Sequence, residues 1–266
     1  MKIGIVGCSG RMGRAVAREI IRRPDCSIVG GTLPAGDPSN GKDIGVLAGE
    51  DPVGSLAGDA MDVLCKKTNA IIDFSMPEVT LESLRIAMEY PLVYVIGTTG
   101  FTEAQASHIK ACSKKIPIIW SANMSVGVNL LLGLTQQVAQ ILDDHFDIEI
   151  IEAHHRHKVD APSGTALALG RAAAKGRAVD LEQAAVKSRD GLIGPRHKGS
   201  IGFATVRGGD IIGDHTVMFA AEGERVELTH KASDRSIFAK GAVHAAMWGK
   251  DKLQKPGLYS MQDVLF

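Results

Sequence analysis

The sequence predicts an α/β protein in two parts: a parallel sheet covered by helices on both faces, then a smaller α+β part whose sheet is mainly antiparallel. Three observations carry that prediction. Runs rich in Ile and Val alternate with helix-length amphipathic segments from residue 2 to about residue 121, the pattern of repeated strand–helix–strand units. The first run ends in a glycine-rich turn that opens a helix. Beyond about residue 147 the texture changes to strands joined by short glycine-containing turns. A length of 266 residues fits two modest domains, read here as 1–125 with 236–266, and 126–235.

The strands of the first part are KIGIVG (2–7), SIVGGT (27–32), AIIDFS (70–75), LVYVIG (92–97) and IPIIWS (116–121). Each is nearly continuously apolar, as strands buried on both faces are. Between them, Pro77 to Glu89 starts with a proline and an acid, which suits a helix N-terminus. Thr102 and Gln105 form a capping box for a helix running to about Lys114. The glycines, prolines and aspartates from Pro34 to Gly58 read as a long loop. A helix near 128–143 leads into DIEIIEAHH (147–155), a single strand. From about 199 three strands follow, joined at RGGD (207–210) and AEGER (221–225) in an antiparallel meander. The last segment, SIFAKGAVHAAMWGK (236–250), has helical periodicity and could return to the first part.

Bulk charge excludes several function classes. Thirty Lys and Arg balance thirty Asp and Glu, so no global field points to nucleic acid or an anionic membrane as partner. Cys8, Cys26, Cys65 and Cys112 contain no CxxC pair and sit among apolar neighbours, the usage of reduced thiols in a cytoplasmic protein. No apolar run approaches a membrane span and MKIGIVG is not a secretory leader, so the expectation is a soluble, unexported chain.

Two motifs carry chemistry. GCSGRMGR places Gly7, Gly10 and Gly13 at a strand-to-helix turn, where glycine lets a pyrophosphate approach the N–H groups of the positive helix end. A tight packing turn with no ligand is the plain alternative. The acid that usually holds a ribose 2′-OH about 20 residues on is missing, since that region reads Thr32, Leu33, Pro34, Ala35 and the nearest acid is Asp37. No arginine stands there for a 2′-phosphate, although Arg11 and Arg14 are close to the turn, so a dinucleotide bound here could be NADPH or NADH and the residues leave the preference undecided. The second motif is EAHHRHKVDAPSGTAL (152–167), which stacks His154, His155, Arg156, His157 and Lys158. Helical zinc sites use His at i and i+4 with an acid between, and the cations Arg156 and Lys158 would repel an ion, so no metal is expected. An anion explains more of the residues. Lys158 and the histidines supply charge, and Ser163, Gly164 and Thr165 open the helix ALALGRAAAK, whose first N–H groups suit a carboxylate or phosphate. Ser163 could cap that helix with or without a ligand, and a solvated basic loop is the bland reading.

Taken together, EAHHRHKVDAPSGTA, VGCSGRMGR, DFSMPE, VIGTTGF, SANMSVGVN and GFATVRGGDIIGDHTV closely resemble the 4-hydroxy-tetrahydrodipicolinate reductase (dihydrodipicolinate reductase) family over nearly the whole chain. The resemblance implies a nicotinamide-dependent reduction of a cyclic dicarboxylate in the diaminopimelate route to lysine. It further implies an N-terminal Rossmann dinucleotide-binding domain, a substrate domain that also builds a homotetramer, and a C-terminal helix returning to the first domain. Carried over by position, it makes His154 the proton donor or acceptor and Lys158 a proton donor, with His155, Gly164 and Thr165 binding substrate. It gives the pyrophosphate to Gly7, Cys8, Ser9, Gly10, Arg11 and Met12, and cofactor contacts to Gly97, Thr98 and Thr99. Ser121, Ala122, Asn123 and Met124 would close around the nicotinamide end. Arg156 and His157 receive no role. This chain departs from the family at Leu33 and Pro34, where an acidic or basic residue is frequent, and at Met76, which is basic in some members. A different Rossmann-type small-molecule dehydrogenase would explain residues 1–121 equally well, though it would not require HHRHK or DAPSGT. A nucleotide-sensing regulator without catalysis is the other rival.

Overall fold

A computed structural model describes residues 1–266. The chain divides into two compact units, Met1–Val126 with Ser236–Phe266, and Gly127–Arg235. The first unit holds strands β1 (Lys2–Val6), β2 (Ser27–Thr32), β3 (Ala57–Gly58), β4 (Ala70–Asp73), β5 (Val93–Ile96) and β6 (Pro117–Trp120). Its helices are α1 (Arg11–Ile21), α2 (Ile44–Ala48), α3 (Met61–Cys65), α4 (Pro77–Ala87) and α5 (Glu103–Cys112). Helix α6 (Val126–Ile141) leads into the second unit, which holds β7 (Asp147–His154), α7 (Gly164–Arg177), α8 (Leu181–Ala184), β8 (Ala185–Val186), β9 (Ile201–Arg207), β10 (Gly213–Ala221) and β11 (Glu224–Ala232). The chain then re-enters the first unit as α9 (Ser236–Gly249), β12 (Gly257–Tyr259) and α10 (Met261–Leu265). No helix is long and apolar enough to cross a membrane.

In the first unit the strands form one seven-stranded sheet, β12-β6-β5-β4-β1-β2-β3, parallel throughout. Successive side chains of a strand alternate between faces, and the core divides accordingly. Ile3, Ile5, Ala70, Ile72, Val93, Val95 and Ile119 pack with α1 and α9 on one face. Val6, Ile71, Tyr94, Ile96 and Ile118 pack with Leu64, Leu84 and Ile109 from α3, α4 and α5 on the other. That double cover is why these strands read as unbroken apolar runs. The order reverses beside β1, which lies between β2 and β4, and a ligand crevice belongs at such a switch point, outside the carboxyl ends of the strands. Thr102 caps α5 with a complete capping box, its hydroxyl accepting from the Gln105 N–H and the Gln105 side chain accepting from the Thr102 N–H. The Pro34–Gly58 stretch, expected as loop, contains α2 and β3. Asp43 organises it, one carboxylate accepting from the N–H groups of Gly45, Val46, Val53 and Gly54.

The second unit differs from the mainly antiparallel expectation. Its sheet, β11-β10-β7-β9-β8, is mixed: β10 pairs antiparallel with β11 and β7, whereas β7–β9 and β8–β9 are parallel. The cause lies at the RGGD turn, which does not close a hairpin. Strand β7 is inserted between β9 and β10, and the turn passes across its end, with the Gly208 N–H donating to the His154 carbonyl and the Arg156 N–H to the Gly209 carbonyl. Only β10 and β11 form a hairpin of the expected kind, at Glu222–Gly223.

Candidate active site

The glycine turn joins β1 to α1 and demands glycine at two points. Gly7 has φ +72°, a left-handed value that costs glycine little, and a Cβ on Gly13 would lie 2.2 Å from the Gly7 carbonyl oxygen. Not every group in the turn faces outward. The Cys8 thiol is wholly buried, burial raises its pKa to about 11, and the Cys8 N–H donates to the Thr32 carbonyl. The Gly10 N–H is likewise held inside the turn by the Gly7 carbonyl. What the turn presents is the amino end of α1, where the first N–H groups have no partner within the helix. No side chain caps that end, and no acid stands in its first turn. A bare helix N-terminus behind a glycine cradle fits a pyrophosphate. Asp37, the nearest acid after β2, comes back to this turn: it accepts from the Ser9 hydroxyl at 3.0 Å and from the Ser39 N–H at 2.7 Å. Those hydrogen bonds outweigh partial burial and hold its pKa below the ordinary aspartate value.

The other sequence-predicted cofactor residues follow β5 and β6, so they share the carboxyl edge of the sheet with the glycine turn. Thr98 is buried, its hydroxyl donating to Asp73 and accepting from Thr80, while Thr99 is exposed. Asp73 is a buried hub at the end of β4 that also accepts from Tyr94 at 2.8 Å and from the N–H and hydroxyl of Ser75 at 2.8 and 2.6 Å. Burial nevertheless raises its pKa. After β6, the Ser121 hydroxyl accepts from the Met261 N–H and the Asn123 side-chain Oδ1 from the Ser125 N–H. Ala122 is exposed, and Met124 is packed into the core.

In the second unit the basic motif splits at the end of a strand. His154 is the last residue of β7 and points to its buried side, with 8% of the residue exposed. His155 to Lys158 form the following turn, closed by the Lys158 N–H on the His155 carbonyl. Arg156 and His157 are exposed; Lys158 is half-buried, and its ammonium pairs with Asp160 at 2.7 Å. Partial burial, and then the nearby Arg235, His157, His154 and Lys158, lower the His155 pKa. Gly164 and Thr165 begin α7, with Ser163 as its N-cap, whose hydroxyl accepts from the Ala166 N–H at 3.1 Å. A cap of this kind is worth about 1 kcal/mol.

Around His154 lie groups that the sequence left without a role. Glu152, two residues earlier on the same strand face, is 1% exposed and accepts from His154 Nδ1 at 2.6 Å. Arg207, at the end of β9, donates to both Glu152 oxygens at 2.7 and 2.8 Å, and the Ser163 N–H donates at 2.9 Å. Burial would raise the Glu152 carboxyl, but the hydrogen bonds from Arg207, His154 and Ser163 together outweigh it and hold its pKa at about 2. His215 of β10 stacks edge-on against His154 with ring centroids 5.1 Å apart, and its Nε2 is 3.0 Å from the Ser163 hydroxyl. Burial first, and His154 second, push the His215 pKa down to about 4. The backbone opposite is trimmed to admit the ring, since a Cβ on Gly213 would lie 3.0 Å from His154 Nε2. The strand period alone pairs Glu152 with His154. Arg207 and His215 both stand in GFATVRGGDIIGDHTV, but nothing in that stretch says that either reaches β7.

One unit thus presents a bare helix end behind a glycine turn and the other a buried acid–base cluster beside a capped helix end, and comparison with known proteins gives the family. Residues 1–124 match the family model described as dihydrodipicolinate reductase, N-terminus, and residues 127–265 the one described as dihydrodipicolinate reductase, C-terminus. The chain is 52% identical over 266 residues to the 4-hydroxy-tetrahydrodipicolinate reductase of Parvibaculum lavamentivorans, covering all of this chain and 97% of that protein. It is 52% identical over 273 residues to the protein of the same name from Allorhizobium ampelinum, covering all of this chain and 98% of that one. Among solved structures it is similar to the dipicolinate-bound dihydrodipicolinate reductase of Paenisporosarcina sp. TG-14, with a TM-score of 0.76, 21% identity, and 100% and 99% of the two chains covered. At that identity the likeness speaks for the fold alone.

Proposed function

This chain belongs to the dihydrodipicolinate reductase family, and from that premise we propose that it reduces 4-hydroxy-tetrahydrodipicolinate to tetrahydrodipicolinate with loss of water, using NADPH or NADH. The observation that carries the reading is the buried cluster that joins His154, Glu152 and the Ser163 cap of α7, because it unites a proton-transfer group with an anion-binding helix end. We assign residues 1–125 and 236–266 to the nucleotide and 126–235 to the substrate.

The uncapped α1 end and the close packing at Gly13 fit a dinucleotide, with the Gly7–Met12 turn at the pyrophosphate, Gly97, Thr98 and Thr99 along the cofactor, and Ser121–Met124 at the nicotinamide end. Cys8 and Met124 would contribute through the backbone, since their side chains are in the core. When bound, the reduced nicotinamide supplies the hydride. Asp37, kept anionic against the glycine turn, favours a ribose 2′-OH over a 2′-phosphate, and with it NADH over NADPH.

The substrate is a ring flanked by two carboxylates. Its C=N bond becomes conjugated once the 4-hydroxyl leaves, and as C4 is reduced, density moves toward the ring nitrogen and C3 gains a proton. His154 is the residue assigned to that proton, and a positioned acid lowers the barrier to such a step. Lys158 supplies a cation and shares with His154 in delivering that proton. Together with His155 and the N–H groups of Gly164 and Thr165, it holds a carboxylate and stabilises the developing charge. Four free cysteines support a reducing, cytoplasmic setting. The exposed Ile151 and Val206 of the second sheet support self-association into the family's homotetramer. Loss of reduced-nicotinamide absorbance on adding enzymatically generated 4-hydroxy-tetrahydrodipicolinate, with NADH and NADPH in parallel, tests reaction and coenzyme together. No turnover with either coenzyme rejects the reading.

A further inference from the structure

We propose that Glu152 and Arg207 act as a positioning pair that fixes which nitrogen of His154 exchanges the proton and how firmly that proton is held. The inference rests on the reaction assigned above for the role of His154, but its geometric part stands separately.

Removing a carboxylate and a guanidinium from water is costly before any attraction is counted. Replacement by apolar residues is often neutral, so an ion pair on the inner face of a strand invites a functional account. The donor balance supplies one. An ionised carboxylate only accepts hydrogen bonds. Oε1 of Glu152 receives the Ser163 N–H at 2.9 Å, Arg207 Nη2 at 2.8 Å and the Thr205 hydroxyl at 3.4 Å. Oε2 receives Arg207 Nη1 at 2.7 Å and His154 Nδ1 at 2.6 Å. His154 Nδ1 is therefore the donor and carries the hydrogen, leaving Nε2 as the nitrogen that gives up or takes a proton.

Arg207 sets the strength of the effect. A lone carboxylate beside an imidazole favours the cation, and would make the acid reluctant to release its proton. The guanidinium, bidentate on the same carboxylate and also bonded to the Asp160 carbonyl at 2.7 Å, takes up part of that charge. The other charged or titratable groups around the ring are His215 from β10 and, in the turn after β7, His155 and Lys158, with Asp160 paired to Lys158 and Arg235 acting on His155. None of these touches Nδ1.

The test is the pH profile of kcat for the parent, Glu152→Gln and Arg207→Gln. Loss of the carboxylate should move the alkaline limb acidward by about one pH unit, and loss of the guanidinium should move it the other way by a similar amount. A scaffold role alone would lower activity without opposite displacements, so limbs that stay put or move together overturn the proposal. Should Glu152→Gln not fold, nitrogen-15 NMR of the parent decides, with the His154 ring signal assigned by its absence in His154→Gln. Hydrogen on Nδ1 of the neutral ring supports the pairing, and hydrogen on Nε2 rejects it. A parent that folds but turns over nothing with either coenzyme defeats the assigned reaction instead, and the NMR result then judges the pair by itself.

Discussion

Asp73 in the first unit and Glu152 in the second are both withdrawn from solvent, 0% and 1% exposed, yet their pKa values move in opposite directions. Burial raises Asp73, and its hydrogen bonds from Ser75, Tyr94 and Thr98 only partly offset that. Glu152 is also shut off from solvent but lies less deep, and a bidentate guanidinium joins its donors, so its pKa falls to about 2. The difference lies in depth of burial and in one cation. Asp73 knits the ends of β4 and β5 together, whereas Glu152 bonds a histidine placed to react.

The largest test of that contrast is at the neighbour itself. His154→Gln should lower kcat by roughly 10²- to 10⁴-fold, the range for a lost general acid, with coenzyme binding by fluorescence titration unaltered. Near-normal turnover would remove His154 from the chemistry. Lys158→Ala should cost roughly 10- to 100-fold in kcat/KM, shared between the two constants because the charge both anchors substrate and assists the transition state. Steady-state kinetics with both constants unchanged would end that role.

Stability separates the two carboxylates more directly. Glu152→Gln strands a guanidinium that is only partly exposed, and urea unfolding should show a loss of about 2–3 kcal/mol. Asp73→Asn keeps an acceptor for Ser75 and a group that can bond Tyr94, so its cost should stay under about 1 kcal/mol. Equal losses would mean that the missing cation at Asp73 is immaterial.

The pH dependence of stability is opposite in sign at the two sites. With a folded pKa lowered from 4.5 to about 2, Glu152 contributes fully above the unfolded value and loses that contribution as pH falls through about 2. Asp73, with its folded pKa raised above 3.8, contributes below the unfolded value and loses that contribution as pH rises through the folded one. The stability gap between parent and Glu152→Gln should widen from acid to neutral pH, while the gap for Asp73→Asn narrows. Gaps that change in the same direction would refute the contrast.

Much of this protein follows from residues close together in sequence. The apolar runs become β1 to β6 because strands covered on both faces have no polar side to show. The turn at Gly7–Gly13, the Thr102 capping box and the Ser163 cap follow from backbone geometry over a few residues, and the two-residue strand period already puts Glu152 beside His154. Tertiary structure decided what meets across long separations. Arg207 reaches Glu152 because β9 runs parallel to β7, and His215 reaches Ser163 because β10 flanks β7 on the other side. Asp37 reaches Ser9 because the chain after β2 folds back over the glycine turn. A short apolar strand has no local mark of its neighbour or its direction. Those are set by the packing of the whole sheet, and here that packing makes the second sheet mixed and gives His154 its partners.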